Sequence, residues 1–363
     1  MKTTKEKFKI ALVIPSLHTG GMERVMTELA NYFSLQRNIK VYLILFGKSP
    51  EIFYELNKNI IIKKATSKFN NNFRVFESIK RLFFIRREIK HIEPDTILSF
   101  GTQWNNFVLF SLYGTIFPVY ISDRGSPIRK YKITTELFKN IMYKKASGII
   151  AQTNKAYEVT IKKFPHSNIK VIGNPINLTK YQSVKSENVI LSVGRLISTK
   201  NHDRLIDIFS KLNATNWKLI IVGGDAIKEN NYEKLKSIIK EKNLENKVLL
   251  LGNQKNVIQY YLSSKIFAFS SSVEGFPNVI GEALSSGLPV VSYDCVAGPS
   301  EMINNGENGF LVPLFDDNLF QQKLQLLIND EELRLKMGVN ARKNITMFSN
   351  ESIGQQYLNF ISR

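Results

Sequence analysis

The sequence predicts an α/β protein built as two Rossmann-like parallel-sheet domains. The chain has 363 residues, too many for one ordinary hydrophobic core and suited to two. Short, strand-like apolar runs alternate with longer amphipathic stretches, the order that βαβ units and parallel sheets produce. The alternation breaks once, between Val171 and Ser186, where periodicity is weak and Asn174-Pro175 signals a turn or linker. The expected organisation is a first domain over 1–173, a linker over 174–186, a second domain over 187–345 and a C-terminal helix over 346–363.

Each element follows from its own pattern. Phe8 to Ile14 reads as a buried strand, followed by a loop ending in Gly20-Gly21 and a helix from Glu23 to Phe33. Val41 to Phe46, Thr96 to Phe100, Val119 to Ser122 and Gly148 to Thr153 supply the other strands of the first domain. The second series opens with Val189 to Val193, then Gly194-Arg195 and a helix from His202 to Leu212. Trp217 to Val222 is its next strand, followed by Gly223-Gly224-Asp225 and a helix from Tyr232 to Lys242. Val248 to Leu251, Ile266 to Ser270, Pro289 to Ser292 and Gly309 to Val312 complete the set, and Asn350 to Arg363 is an amphipathic helical tail. The two halves share an architecture and no readable repeat.

Composition narrows the class. With 43% hydrophobic and 22% charged residues the chain is globular. Cys295 stands alone, which excludes an internal disulfide and points to a reducing compartment; it reads as a small buried side chain just past a strand. The start reads as a strand rather than a signal peptide, and no stretch is apolar enough to cross a bilayer. Four histidines (His18, His91, His166 and His202) and one cysteine form no metal-ligand pattern, and the histidines read as structural or exposed. The net charge of +19 is a partner signal. Nucleic acid, an anionic membrane and a lysine-rich compositional bias each account for it. No helix-turn-helix, zinc-finger or RRM pattern supports a nucleic-acid-binding protein, the rival of a different class.

Three loops carry chemistry. In Gly194-Arg195-Leu-Ile-Ser-Thr-Lys200, Arg195 offers a rigid fork of donors and Lys200 a point charge, at the carboxyl end of a strand where open α/β sheets bind ligands. Together they suit a diphosphate; two solvated surface cations is the competing reading. Glu274 and Glu282 stand with seven residues between them, the first in the Gly275-Phe276-Pro277-Asn278 loop and the second about two turns into the apolar segment that follows. If helical throughout, the span is roughly 12 Å, enough to grip both ends of an elongated ligand. Carboxylates accept paired hydrogen bonds from vicinal diols. Gly20-Gly21, between a strand and a helix, suits either an anion or a tight turn.

In combination these motifs resemble the signature of retaining glycosyltransferases of the GT-B fold, family 4. The resemblance runs from Gly20 to Gly309 and is most specific between Gly194 and Glu282. It implies two domains facing each other across a cleft that holds the active site, with the final helix returning to the first. It implies transfer of a hexose or N-acetylhexosamine from a nucleotide sugar, expected to be a UDP-sugar, with retention and without a metal or other cofactor. Arg195 and Lys200 become the diphosphate clamp, and Gly20 and Gly21 the facing phosphate loop. Glu274 goes to the donor sugar's hydroxyls, and the backbone of Gly275, Phe276, Pro277 and Asn278 to sugar and phosphate. Glu282 goes to the ribose, and the loop at Asn253 to the nucleotide base. The acceptor is a glycan or a polyprenyl-diphosphate-linked oligosaccharide, with a lipopolysaccharide or capsule precursor as the alternative. The pattern departs at Asp123-Arg124, where many members carry histidine. There Arg124 is read as a contact to an acceptor phosphate and Asp123 as its orienter, against a plain Asp-Arg turn.

The segment Phe73 to Lys90 has apolar residues at helical spacing and many cations. Val75, Ile79, Leu82, Phe83 and Ile89 read as its buried stripe, with the lysines and arginines facing solvent or an anionic membrane. The expected location is cytoplasmic, peripherally attached to the inner face of the cytoplasmic membrane, with no nucleic-acid partner.

Overall fold

A computed structural model describes residues 7–48, 50–66, 69–165, 168–180, 184, 186–226 and 229–363. His166 and residues 181–183 and 185 of the expected linker lie outside them. The chain divides into two compact units, Met1–Pro175 with Asn350–Arg363, and Ile176–Ser349. The first boundary falls inside the stretch expected as a linker. Ile176 bridges to Ser349, which fixes the start of the second unit to its end.

The first unit contains β1 (Phe8–Ile14), α1 (Gly21–Ser34), β2 (Ile39–Leu45), β3 (Ile61–Lys64), α2 (Arg74–Ile92), β4 (Thr96–Phe100), α3 (Thr102–Ser111), β5 (Val119–Ser122), α4 (Ile133–Met142), β6 (Gly148–Ala151), α5 (Asn154–Lys163) and β7 (Ile169–Val171). The strands form one parallel sheet ordered β3-β2-β1-β4-β5-β6-β7. The central strands are aliphatic because both of their faces are covered. Helices α2, α3 and α4 cover the face that presents Ala11, Val13, Ile97 and Ile121. The other face receives α13 (Asn350–Ile361), whose Tyr357 and Phe360 meet Phe100 and Tyr120 at centroid distances of 6.2 and 5.4 Å. Helix α13 also packs on α1, where a Cβ on Gly354 would lie 2.3 Å from the Tyr32 ring; glycine there leaves room for that ring. The edge strands β3 and β7 have no counterpart in the sequence reading. They are four and three residues long and only half-buried, so their hydrophobic signal is short and weak.

Helix α2 corrects a sequence expectation. Of the five residues read as its buried stripe, only Ile89 is buried; Leu82 is half-buried, and Val75, Ile79 and Phe83 are 76%, 42% and 67% exposed. The inward face is instead Glu77, Arg81, Ile85, Ile89 and Ile92. Residues 71–76 are exposed all round, so the helix overhangs its support at that end. Where it first meets the unit, charge faces in: Glu77 pairs with Lys80 at 2.9 Å and stands beside Arg81, whose guanidinium is held below its ordinary range by burial. Pairing limits the cost of burying these charges.

The second unit contains β8 (Val189–Val193), α6 (His202–Ser210), β9 (Lys218–Val222), α7 (Asn231–Glu241), β10 (Val248–Leu250), α8 (Ile258–Ser263), β11 (Ile266–Phe269), α9 (Asn278–Ser285), β12 (Val290–Asp294), α10 (Pro299–Met302), β13 (Gly309–Pro313), α11 (Asp317–Asn329) and α12 (Glu331–Asn344). Its parallel sheet runs β10-β9-β8-β11-β12-β13. Tyr293, Phe320 and Trp217 anchor a core with aliphatics from every layer. The strand order reverses between β8 and β11, and open α/β sheets bind ligands beyond the carboxyl ends of the strands at such a point. Each unit is thus a parallel-sheet α/β domain, as the sequence predicts.

Candidate active site

The loops that leave β8 and β11 are joined at the switch point. Lys200 Nζ lies 2.6 Å from Glu274 Oε1, with only 16% and 13% of the two side chains exposed. The backbone fixes this contact from below. Ser272 N donates to the Thr199 carbonyl at 2.9 Å, Ser270 Oγ to the Lys200 carbonyl at 2.8 Å, and Asn201 Nδ2 to the Ser270 carbonyl at 2.9 Å. The Lys200 stem crosses Gly194, within 3.4 Å of where a Cβ would stand, and its ammonium lies 5.0 Å from the centre of the Phe269 ring. Gly223 makes room for the same loop: its φ is +148°, and a Cβ there would sit 1.9 Å from the Gly194 carbonyl oxygen. Arg195, next along, is exposed.

Glu274 to Pro277 is a loop, and helix begins only at Asn278. Glu282 is therefore about one turn into α9, not two, and the two glutamates are not spaced along one continuous helix. Tyr261 Oη donates to Glu282 Oε2 at 2.9 Å and fixes its carboxylate. The Phe276 side chain is buried against Phe348, with ring centroids 5.6 Å apart, which leaves Gly275 to Asn278 to act through backbone. Gly298, at φ +105°, gives Pro277 its place: a Cβ would lie 2.3 Å from the proline Cδ. Asn253 is exposed and its amide covers Gly224. Cys295 is buried, and burial with the nearby Glu274 charge pushes its thiol up to about 12, so it is no nucleophile near neutral pH.

His202, the first residue of α6, packs beneath the same loop, against the backbone of Gly194 and Arg195. Burial first, and then the Lys200 charge, holds its imidazole down to about 4 from an ordinary 6.5. The unfolded chain binds a proton here that the folded chain refuses between those values, so stability falls as pH drops from about 6.5 to about 4 and changes no further below. We expect a loss of up to about 3 kcal/mol across that window. It is checked by the thermal midpoint against pH, and His202→Gln should flatten the profile relative to the parent.

The first unit holds the remaining expected residues. Gly20 caps α1; its amide and carbonyl lie 3.0 and 2.9 Å from the Tyr54 hydroxyl. The Glu23 carboxylate folds back onto Gly20, and burial raises its pKa. Gly21 is exposed at the first position of the helix. Asp123, beyond β5, accepts hydrogen bonds from Thr102 Oγ1 at 3.0 Å, Asn105 Nδ2 at 3.2 Å, Lys139 Nζ at 2.6 Å and the Tyr143 hydroxyl. Arg124 departs from its expected role. Its guanidinium donates to Tyr357 Oη at 3.1 Å and Asn174 Oδ1 at 2.6 Å, and lies 4.3 Å from the centre of the Phe100 ring. Its donors tie β5 to α13, which makes it a positioning residue; desolvation lowers its pKa. Asp123 and Arg124 thus face different partners and do not act as a pair. Tyr261, Tyr54 and Lys139, which hold Glu282, Gly20 and Asp123, went unread in the sequence because no local pattern marks a side chain that acts across a fold.

Residues 175–344 match the family model described as Glycosyl transferases group 1, and residues 19–180 match Glycosyltransferase Family 4. An N-acetylgalactosamine-N,N'-diacetylbacillosaminyl-diphospho-undecaprenol 4-alpha-N-acetylgalactosaminyltransferase of Campylobacter jejuni is 30% identical over 371 residues, covering 97% of this chain and 99% of its own. The chain belongs to the family 4 glycosyltransferases. A second relative of this glycosyltransferase is the amylovoran biosynthesis protein AmsD of Erwinia amylovora, 29% identical over 357 residues, 95% of this chain and 97% of its own. The fold of the glycosyltransferase is shared with HepE of Anabaena, solved in complex with UDP, at a TM-score of 0.79 and 20% identity over 98% of this chain and 100% of that one.

Proposed function

We propose that this enzyme transfers a hexose or N-acetylhexosamine from a UDP-sugar, with retention of anomeric configuration and without a metal, to a lipid-linked oligosaccharide or a cell-surface glycan precursor. The observation that carries the donor reading is the Lys200–Glu274 contact at the switch point of the second sheet. Departure of a nucleoside diphosphate concentrates negative charge on the leaving oxygens, and fixed cations there stabilise the transition state. Lys200 is fixed by the contacts already described, and Arg195 stands five residues before it on the same loop. In the donor complex Lys200 turns from Glu274 toward the diphosphate, and the carboxylate so released accepts from the sugar hydroxyls. Glu282, oriented by Tyr261, takes the ribose. The attacking hydroxyl approaches on the face that the diphosphate leaves, and its proton passes to the diphosphate.

The acceptor reading draws on the relatives: the Campylobacter protein carries a diphospho-undecaprenol substrate in its name. A membrane-borne acceptor implies action at the inner face of the cytoplasmic membrane as a peripheral protein. Among the described residues no helix is long and apolar enough to cross one.

A screen of UDP-, GDP- and ADP-sugars, read as free nucleotide with and without EDTA, tests the donor. UDP release that chelation leaves unchanged is the expected result. Release from GDP- or ADP-sugars alone overturns the base assignment, and loss of turnover on chelation overturns metal independence. NMR of the glycoside formed on a defined acceptor settles the anomeric outcome.

A further inference from the structure

Asp123 takes no part in holding the donor, yet four side chains of the first unit hold it. Thr102, Asn105 and Tyr143 all donate to Oδ1, and Lys139 alone donates to Oδ2. A carboxylate oxygen accepts two hydrogen bonds, so Oδ2 keeps one place for a further donor. Lys139 is committed to this carboxylate: its side chain is 12% exposed, and its ammonium lies 4.8 and 5.6 Å from the centres of the Tyr143 and Phe164 rings. Asp123 itself is 33% exposed. The fold thus fixes a carboxylate, with one acceptor position unfilled, beyond the carboxyl end of β5, where open α/β sheets bind ligands.

A cavity of about 80 Å³ opens beside it, between α4 and α5, which the Glu136–Lys163 ion pair bridges. Its floor is apolar: Ile149 and Ile150 of β6 with Val159 and Phe164. Ser126, on the loop after β5, also lines it. Ser126 Oγ is buried and has no hydrogen-bond partner among the described residues, a costly state that a ligand carbonyl would relieve. A void of about 150 Å³ accommodates a benzene ring, so this one takes a substituent of about four heavy atoms and no sugar ring.

The chemistry of the walls selects the substituent. It needs a donor for Asp123 Oδ2, an acceptor for Ser126 Oγ and an apolar end for the floor. A hydroxyl lacks the apolar end. A carboxylate or phosphate lacks it too and meets a fixed anion. An acetamido group has all three in its N–H, carbonyl and methyl, and in the trans form the N–H and carbonyl point to opposite sides. We propose that this cavity takes the N-acetyl group of an amino-sugar acceptor, with the N–H on Asp123 Oδ2, the carbonyl on the Ser126 hydroxyl and the methyl against Val159 and Phe164. The sugar ring stays outside, where Arg129 is exposed. The proposal deepens the acceptor reading given above, on which it rests.

Saturation-transfer NMR of the whole chain without nucleotide tests it on matched pairs of methyl glycosides: N-acetylglucosamine with glucose, and N-acetylgalactosamine with galactose. At least one acetylated sugar should bind about tenfold or more tightly than its parent sugar, with the strongest saturation on the acetyl methyl protons. Val159→Phe, which fills the cavity, should lower that affinity about tenfold or more, and Ser126→Ala about fivefold. Circular dichroism and the thermal midpoint verify folding, and Ser126→Ala carries the test where the larger side chain does not fit. Equal binding of acetylated and parent sugars, or full affinity in the folded variants, overturns the proposal. So does displacement of the sugar by inorganic phosphate, because the cavity then belongs to an anion held by Arg129 and Lys163. If the acetylated sugar binds as expected and no sugar is transferred to it, the acceptor reading falls and the cavity assignment stands. Transfer with no preference for the acetyl group leaves the acceptor reading and removes the cavity from it.

Discussion

Lys200→Ala should lower UDP release by about 100- to 1,000-fold in a variant that still folds, with a lowered thermal midpoint because Glu274 loses its partner in a largely buried setting. The effect is large because two changes act together. On the proposed donor reading the leaving diphosphate loses a firmly placed cation, since Lys200 is held by Glu274, by the Phe269 ring and by the paired loops beneath it. Glu274 at the same time loses the ammonium that lies 2.6 Å from it and, on the proposed donor reading, presents an uncompensated carboxylate to the incoming phosphates. Arg195 cannot substitute, because it is exposed and its charge is screened by water. If Glu282 takes the ribose as proposed, Glu282→Ala should also lower kcat/KM for the donor, chiefly through KM, since such a contact is made in the ground state as in the transition state. Steady-state nucleotide release with circular dichroism of each variant checks both. A near-normal rate in Lys200→Ala removes that residue from the diphosphate site.

Gly223→Ala should be the most destabilising single methyl in the second unit, at about 3–5 kcal/mol, and should abolish turnover at the same time. Its φ of +148° lies where side-chain-bearing residues rarely stand, and the added carbon would lie 1.9 Å from the Gly194 carbonyl oxygen. That oxygen is backbone, so relief requires the Gly194-Arg195 turn itself to move, and Lys200 with it. Gly252 provides the internal comparison. Its φ is +64°, yet no atom lies within 4 Å of a Cβ there, so Gly252→Ala should cost only about 1–2 kcal/mol for its left-handed backbone. Thermal unfolding of the two variants side by side separates steric clash from conformational preference. Equal midpoints would mean that the close approach at Gly223 relaxes without effect.

The parallel sheets were legible because strands covered on both faces are continuous aliphatic runs, and the run Ile10 to Ile14 is wholly buried as such a run requires. The loops Gly194 to Lys200 and Glu274 to Asn278 were legible as loops because glycine and proline interrupt the apolar runs beside them, while the contacts that hold them come from distant residues such as Tyr261 and Gly223. Orientation was not legible where it depends on distant partners. Periodicity found the helix α2 but not its inward face, because apolar and charged stripes both recur at helical spacing, and contact with the sheet selected Glu77 and Arg81. Arg124 was read as facing a ligand, and its fate is set by Tyr357, 233 residues away. Glu274 and Lys200 were placed in one site by motif, yet their direct contact follows from the register of β8 beside β11, which no local pattern records.

Helix α13 follows the whole of the second unit along the chain and belongs to the first. On the ribosome, the second unit therefore has its whole sequence available before the first does. Until α13 emerges, its bed on α1, Phe100 and Tyr120 lies open, and Arg124 lacks Tyr357. The first unit must wait, partly formed, through the synthesis of some 170 residues that belong to its neighbour. A fusion or truncation at the C-terminus would thus be felt in the unit that starts the chain, and the order of maturation runs opposite to the order of translation.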